Sequence, residues 1–146
     1  MEVKELIEMA YQTEEDAYQF YLKFSNIVVN PSAREMLKEL AEEEKNHKNI
    51  LLKYFSEKDV KIDNYPLLKI ADHLPKKEKI DEHSDLKDIL IYAIGREEKE
   101  FNFYNEMENH ILDENIKNIL DFLKNQEMNH KAKLENFYDE LIYGEF

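Results

Sequence analysis

The sequence repeats itself once, without a gap, at an offset of 83 residues. Glu44 and His47 of the first copy fall on Glu127 and His130 of the second, and leucines flank both pairs. Solenoid proteins repeat every 20 to 50 residues or so and need at least about three copies. A longer period with two copies therefore predicts two helical hairpins related by a pseudo-twofold axis.

Each copy contains two long helical patterns. Asn30, Ser84 and Asp113 are residue types that favour N-cap positions, Pro31 suits a first helical turn, and Gly144 favours a helix end. A helix of about 27 residues is roughly 40 Å long, which is a typical length in helical bundles. The predicted helices are 3–29, 31–56, 85–112 and 114–143, within one domain spanning 1–146. The connection 57–84 is predicted to run the length of the bundle, with a short helix at 66–73.

Apolar residues follow each helix at alternating steps of four and three residues. This spacing places them on one face, as in helices that pack nearly parallel. It predicts an all-α fold, namely a four-helix bundle made of two hairpins and a long crossover connection. In the first helix the stripe consists of Val3, Ile7, Ala10, Glu14, Ala17, Tyr21, Phe24 and Val28.

The middle of every stripe is polar, although its two ends are apolar. Carboxylates that converge inside an apolar bundle need positive charge, because a buried and unpaired carboxylate is strongly destabilised. One Glu from each of two helices plus Glu-x-x-His from each of the other two is the pattern of di-iron and di-manganese carboxylate bundles. The mixed nitrogen and oxygen donors suit iron or manganese better than structural zinc. The predicted metal ligands are Glu14, Glu44, His47, Glu97, Glu127 and His130.

Three further residues in the stripes bear on the metal site. Glu100 lies one turn after Glu97, and because its counterpart is Ala17, it predicts a seventh ligand that makes the two metal positions inequivalent. Tyr21 and Tyr104 are predicted either to donate hydrogen bonds to ligand carboxylates or only to pack in the core. The acids predicted to lie off the stripe, in solvent, are Glu15, Glu42, Glu43 and Glu98.

Composition excludes several kinds of function. The chain has no Cys, which excludes disulfides, thiol nucleophiles, iron–sulfur clusters and rubredoxin-type iron. A net charge of −13 disfavours binding to nucleic acid or to an anionic membrane. The sequence has no apolar run long enough for a membrane span and no apolar signal core, so we expect a soluble cytoplasmic protein.

With these motifs the chain resembles the rubrerythrin family of the ferritin-like superfamily. The resemblance rests on Ala10-x3-Glu14-x2-Ala17-x2-Phe20-Tyr21, Ala93-x3-Glu97-x2-Glu100-x2-Phe103-Tyr104 and the two Glu-x-x-His pairs. It implies a non-haem centre of two iron ions, with manganese as an alternative, that reduces hydrogen peroxide. It also implies that one iron exchanges Glu100 for His47 on reduction.

Classical rubrerythrins carry a rubredoxin domain, which these 146 residues do not contain. We therefore expect an external electron donor such as rubredoxin. The resemblance also implies a homodimer, in which the long connection would allow hairpins to be exchanged between chains. Two alternatives remain. The first is a ferroxidase or iron-handling protein that oxidises Fe(II) with oxygen, and the second is a structural bundle or interaction module without metal.

Overall fold

The computed structural model describes the backbone of residues 3–55 and 80–144 and the side chains of 5–53 and 80–144. It contains four long helices. They are α1 (Val3–Ile27), α2 (Pro31–Phe55), α3 (Leu86–Asn109) and α4 (Glu114–Tyr143). None of the helices within these described ranges is long and apolar enough to cross a membrane. Most of the predicted connection 57–84, including the predicted helix 66–73, lies outside the described residues, and the single-domain assignment stays a prediction.

The helices pack as two hairpins. Helix α1 packs mainly against α2, and α3 mainly against α4. The connections within the hairpins are short, so the paired helices must run antiparallel. The predicted all-α class and the two-hairpin bundle are thereby confirmed.

Two of the predicted N-caps are present. The Asn30 side chain accepts a hydrogen bond from the Ala33 amide at 3.0 Å. The Asp113 carboxylate accepts two, from first-turn amides of α4 at 2.9 and 3.2 Å. Gly144 ends α4 with a φ of 70°, a left-handed conformation that glycine adopts without strain. These polar groups satisfy helix-end amides that have no partner within the helix.

The predicted cap of α3 is wrong by one residue. Asp85 caps this helix, since its carboxylate accepts from the Asp88 amide at 2.9 Å. The Ser84 hydroxyl instead accepts from the Asp81 amide at 3.0 Å, which commits it to the turn before the helix. Three helices also end earlier than predicted, at Ile27, Phe55 and Asn109 rather than at residues 29, 56 and 112.

Two apolar clusters form the core, one on each side of the polar layer. In α1 the buried residue near the helix start is Leu6, whereas the predicted Ile7 is only partly buried. A straight helix drifts by about 20° per heptad from a strict seven-residue repeat, so a neighbouring residue takes the core position away from the bundle centre. The first cluster includes Leu6, Ala10, Leu51, Phe103, Met107, Ile111, Ile116, Leu120 and Leu123, and the second includes Ala17, Phe24, Val28, Ala33, Leu37, Leu40, Ile89, Leu90, Ala93 and Leu134.

Candidate metal centre

The acidic and imidazole side chains predicted from the stripes lie together between the two apolar clusters. The five glutamates have no exposed surface, and His47 and His130 are 3% and 1% exposed. Their burial follows from the helical register, because each occupies a position that would otherwise carry a core apolar residue. The buried set consists of Glu14, Glu44, His47, Glu97, Glu100, Glu127 and His130.

Six of these residues form two groups that could each hold a metal ion. In each group, one oxygen or nitrogen atom from every residue lies within 4.8 Å of the corresponding atoms of the others. Glu44 and Glu127 belong to both groups, so their carboxylates lie where a bridge between two ions would be. The first group is Glu14, Glu44, His47 and Glu127, and the second is Glu44, Glu97, Glu127 and His130.

Both histidines face the carboxylates through Nδ1. His47 Nδ1 lies 2.7 Å from a Glu127 oxygen and 3.3 Å from a Glu14 oxygen. His130 Nδ1 lies 2.8 Å from a Glu44 oxygen and 3.6 Å from a Glu97 oxygen. The two imidazole rings are 5.5 Å apart and nearly parallel, at 5°. Each hairpin therefore presents its histidine to a glutamate of the other hairpin, in a nearly symmetric arrangement.

The two tyrosines also reach across the bundle. Tyr21 of α1 donates to Glu97 Oε1 at 2.5 Å, and Tyr104 of α3 donates to Glu14 Oε1 at 2.7 Å. Both rings are buried in the core, so each tyrosine packs there and also donates a hydrogen bond. Such a hydroxyl fixes the orientation of a carboxylate that could bind a metal ion.

The glutamates differ in their electrostatic surroundings. Burial raises the pKa of Glu44 and of Glu127 well above the usual value, and repulsion from neighbouring carboxylates adds to the rise. Burial alone would also raise the pKa of Glu14, but the charge of His47 and hydrogen bonds, including that from Tyr104, lower it to about 2. Contacts to Glu127 and His130 similarly outweigh burial and lower the pKa of Glu97. Without metal, the surroundings of the two central glutamates thus favour their protonated forms, whereas those of Glu14 and Glu97 favour the ionised forms.

This donor set fits two divalent cations. Five carboxylates carry five negative charges when ionised, close to the four positive charges of two such ions. Carboxylate oxygens such as Glu44 Oε2 and Glu97 Oε2 are buried and accept no hydrogen bond among the described residues. Buried acceptors of this kind are costly unless a cation or a proton compensates them. Imidazole nitrogen with carboxylate oxygen is a combination that suits iron and manganese.

Glu100 lies beside the two groups rather than in either of them. Its nearest cation is Arg96, whose guanidinium nitrogen is 3.6 Å from Glu100 Oε1 and whose side chain is 11% exposed. Burial and the charge of Glu97 raise the pKa of Glu100 to about 8, and Arg96 opposes this rise. The structure thus places the predicted seventh ligand at the margin of the site, next to an arginine that the sequence analysis overlooked.

Two of the acids predicted to lie in solvent take part in structure. Glu43 is only partly exposed, and its Oε2 lies 2.5 Å from His130 Nε2, so the prediction of a solvated Glu43 is wrong. Glu15 forms an ion pair with Lys48 across the first hairpin. The repeat contained a signal for the Glu15–Lys48 ion pair, because the residue equivalent to Lys48 in the second copy is also a lysine, Lys131. The stripe alone could not reveal Glu43, because a long side chain beside the stripe can bend over its neighbour.

Comparison with known proteins supports this picture of the fold and identifies the family. A family model described as rubrerythrin matches residues 5–138. A protein from Pyrococcus furiosus described as hypothetical is 26% identical, with 98% of this chain and 92% of that chain covered and a TM-score of 0.74. A Thermotoga maritima protein described as a ferritin-like diiron-carboxylate protein is 22% identical, with 96% of both chains covered and a TM-score of 0.74, a likeness that shows the fold. Comparison with curated proteins gave no match.

Proposed function

The chain belongs to the rubrerythrin family, and from this premise we propose that it is a non-haem di-iron protein that reduces hydrogen peroxide with electrons from an external donor. The observation that carries the proposal is the pair of overlapping ligand groups that share Glu44 and Glu127. Glu44 and Glu127 would be the residues shared by two bound ions, and two ions held by shared ligands would suit the transfer of two electrons to one small substrate.

Glu100, which has no acidic counterpart in the first half of the repeat, makes this site different from a symmetric pair of ligand groups. His47 lies within one group, whereas Glu100 lies outside both. The family resemblance implies that His47 and Glu100 exchange as ligands, with His47 bound in the reduced state. The support for that proposal is positional: Glu100 is buried beside the two groups, close enough to the site for such an exchange to involve it.

The residues of the chain have distinct parts in the proposed reaction. When bound, two ferrous ions supply the two electrons that cleave the O–O bond of peroxide. Tyr21 and Tyr104 hold Glu97 and Glu14 in place through their hydroxyl groups. The apolar clusters above and below the site limit access of water, so charges within it interact strongly.

The remaining partners are also part of the proposal. We propose that the two electrons come from an external donor such as rubredoxin, since the 146 residues contain no cysteine for a redox centre of that kind. We further propose a cytoplasmic location and a homodimer, as the sequence analysis predicted.

Rapid mixing of the diferrous protein tests the proposed activity. The chain is loaded anaerobically with two ferrous ions, and the ferric absorption is followed after mixing with hydrogen peroxide or with oxygen. Oxidation by peroxide should be much faster than oxidation by oxygen. Glu42→Gln, a change at an exposed residue near the site, serves as the control and should react as the wild type does. Equal rates with the two oxidants would refute peroxide reduction as the function.

The same experiment separates the alternatives. Oxidation of many ferrous ions per chain by oxygen, without a reductant, would instead indicate a ferroxidase. A structural module would bind no iron, and replacement of Glu44 and Glu127 by leucine would then stabilise it, because buried charge without metal is a liability.

A further inference from the structure

The contact between Glu43 and His130 has no equivalent in the first half of the repeat. Glu43 stands one residue before the glutamate of the first Glu-x-x-His pair, and the equivalent residue of the second pair is Gln126. The first hairpin therefore presents a carboxylate to the histidine of the second, whereas the second hairpin has a neutral amide at the matching position. The two metal positions thus differ beyond the contribution of Glu100.

Glu43 is held in place by both of its oxygens. Oε2 lies 2.5 Å from His130 Nε2, and Oε1 lies 3.6 Å from the Lys133 ammonium. The counterpart of Lys133 in the first half is Ile50, so the acid and the base that orients it occur together on one side only. The side chains of Glu43 and Lys133 are 36% and 49% exposed, and that of His130 is 1% exposed. Lys133 and Glu43 therefore connect the protein surface with the buried imidazole of His130 through two successive polar contacts.

The geometry specifies which imidazole nitrogen is available to a metal ion. A neutral imidazole has one nitrogen that donates and one that accepts. Nδ1 of His130 faces Glu44 and Glu97, while Nε2 faces Glu43 Oε2. If a metal ion binds at Nδ1, the proton of the imidazole must be on Nε2, where the Glu43 carboxylate can accept it. Among the described residues, the acidic contacts of His47 are made through Nδ1. Within the described part of the chain, a carboxylate at the outer nitrogen is therefore a feature of His130 and not of His47.

We propose that Glu43 is a positioning residue that fixes the tautomer and orientation of His130 and so strengthens one of the two metal positions over the other. The inference rests on the metal-binding part of the proposed function and not on peroxide reduction. Carboxylates at the outer nitrogen of a ligand histidine raise its basicity, and their loss typically weakens metal affinity by about 10- to 100-fold.

Cobalt(II) titration of the metal-stripped protein tests the inference, with stepwise affinities from absorption and calorimetry. Glu43→Gln makes position 43 like its counterpart Gln126 and should weaken one of the two bound ions by about 10- to 100-fold while leaving the other within about twofold. Glu42→Gln removes the same charge from the neighbouring exposed residue and should leave both affinities within about twofold, since exposed charges act weakly. Glu43→Asp keeps the charge but shortens the side chain, and it should behave like Glu43→Gln if contact with Nε2 is what matters.

Proton NMR of the cobalt protein provides a signature that a merely structural role would not change. The two imidazole Nε2 protons should appear as separate, strongly shifted signals that exchange with water. Glu43→Gln should move one of them or broaden it by faster exchange, and should leave the other in place. Gln126→Glu is expected to slow the exchange of that other proton and to tighten the second ion.

Two results would overturn the inference. The first is that Glu43→Gln leaves both affinities and both signals unchanged. The second is that it weakens both ions equally and Glu42→Gln does the same, which would indicate a general charge effect. If the wild type binds no cobalt, the metal centre itself is wrong and this inference falls with it. Failure of the peroxide assay with normal cobalt binding would refute only the proposed activity.

Discussion

Replacement of Glu by Gln should have little effect on the metal-free stability at the two central glutamates, Glu44 and Glu127, but should be destabilising at Glu14. In the metal-free protein, burial and repulsion from neighbouring carboxylates raise the pKa of Glu44 and of Glu127 and so favour their neutral, protonated forms. Gln is neutral and nearly the same shape, so Glu44→Gln and Glu127→Gln replace one neutral group by another. We expect the free energy of unfolding of the metal-free double variant to change by no more than about 1 kcal/mol.

Glu14→Gln should be destabilising, because Glu14 is ionised. Its pKa falls from 4.5 to about 2, through His47 and the hydrogen bond from Tyr104. Each unit of pKa shift is equivalent to about 1.4 kcal/mol, so the ionised form contributes on the order of 3 kcal/mol at neutral pH. For a chain of this length, such a loss corresponds to a fall in Tm of about 10 °C.

Thermal unfolding of the three proteins, stripped of metal with a chelator at pH 7, measures the contrast. Metal analysis after reconstitution with iron supplies the second readout. The double variant should retain its metal-free Tm and lose both ions, since it lacks the two shared carboxylates. Equal destabilisation by Glu14→Gln and by the double change would refute the assignment of charge. Two bound ions in the double variant would refute the bridging positions.

Three further expectations follow from the same site. Loading with metal at 100 times its Kd should stabilise the chain by about 2.7 kcal/mol per ion and raise its Tm by about 9 °C per ion, as measured by calorimetry with and without chelator. The metal-free protein should become less stable as pH rises from about 4.5 to about 8, because Glu100 has a raised pKa of about 8 and so binds its proton more tightly when folded than when unfolded. Glu100→Ala should reduce that slope of Tm against pH, and an unchanged slope would contradict the reasoning. Tyr21→Phe and Tyr104→Phe should each lower the metal-free stability by about 1.5 to 3 kcal/mol in urea unfolding, because each removes a hydrogen bond to an ionised glutamate.

Sequence periodicity was sufficient to predict the fold and the six residues that form the two candidate metal-binding groups. A strict alternation of four and three residues can align side chains only along one face, so polar residues on that face had to meet in the core. The same rule failed for residues beside the face. Glu43 and Arg96 both reach the site with long side chains, and Cα position alone does not determine where such side chains end.

The capping error has a related cause. Ser84 and Asp85 are both good N-cap residues, and the choice between them depends on a turn in which Ser84 accepts from the Asp81 amide. That turn is a local three-dimensional arrangement that composition does not specify. The placement of Glu100 also required the structure, since its helical position allowed contact with the metal groups or with Arg96.

The division of ligands between hairpins has a consequence for how the bundle opens. Each group takes three residues from one hairpin and one from the other, so neither hairpin holds a complete group. A bound ion would act as a reversible cross-link between segments distant in the chain, in addition to the apolar contacts. Separation of the hairpins would then require loss of the ions, so opening at this interface would become a rare event whose rate follows metal dissociation.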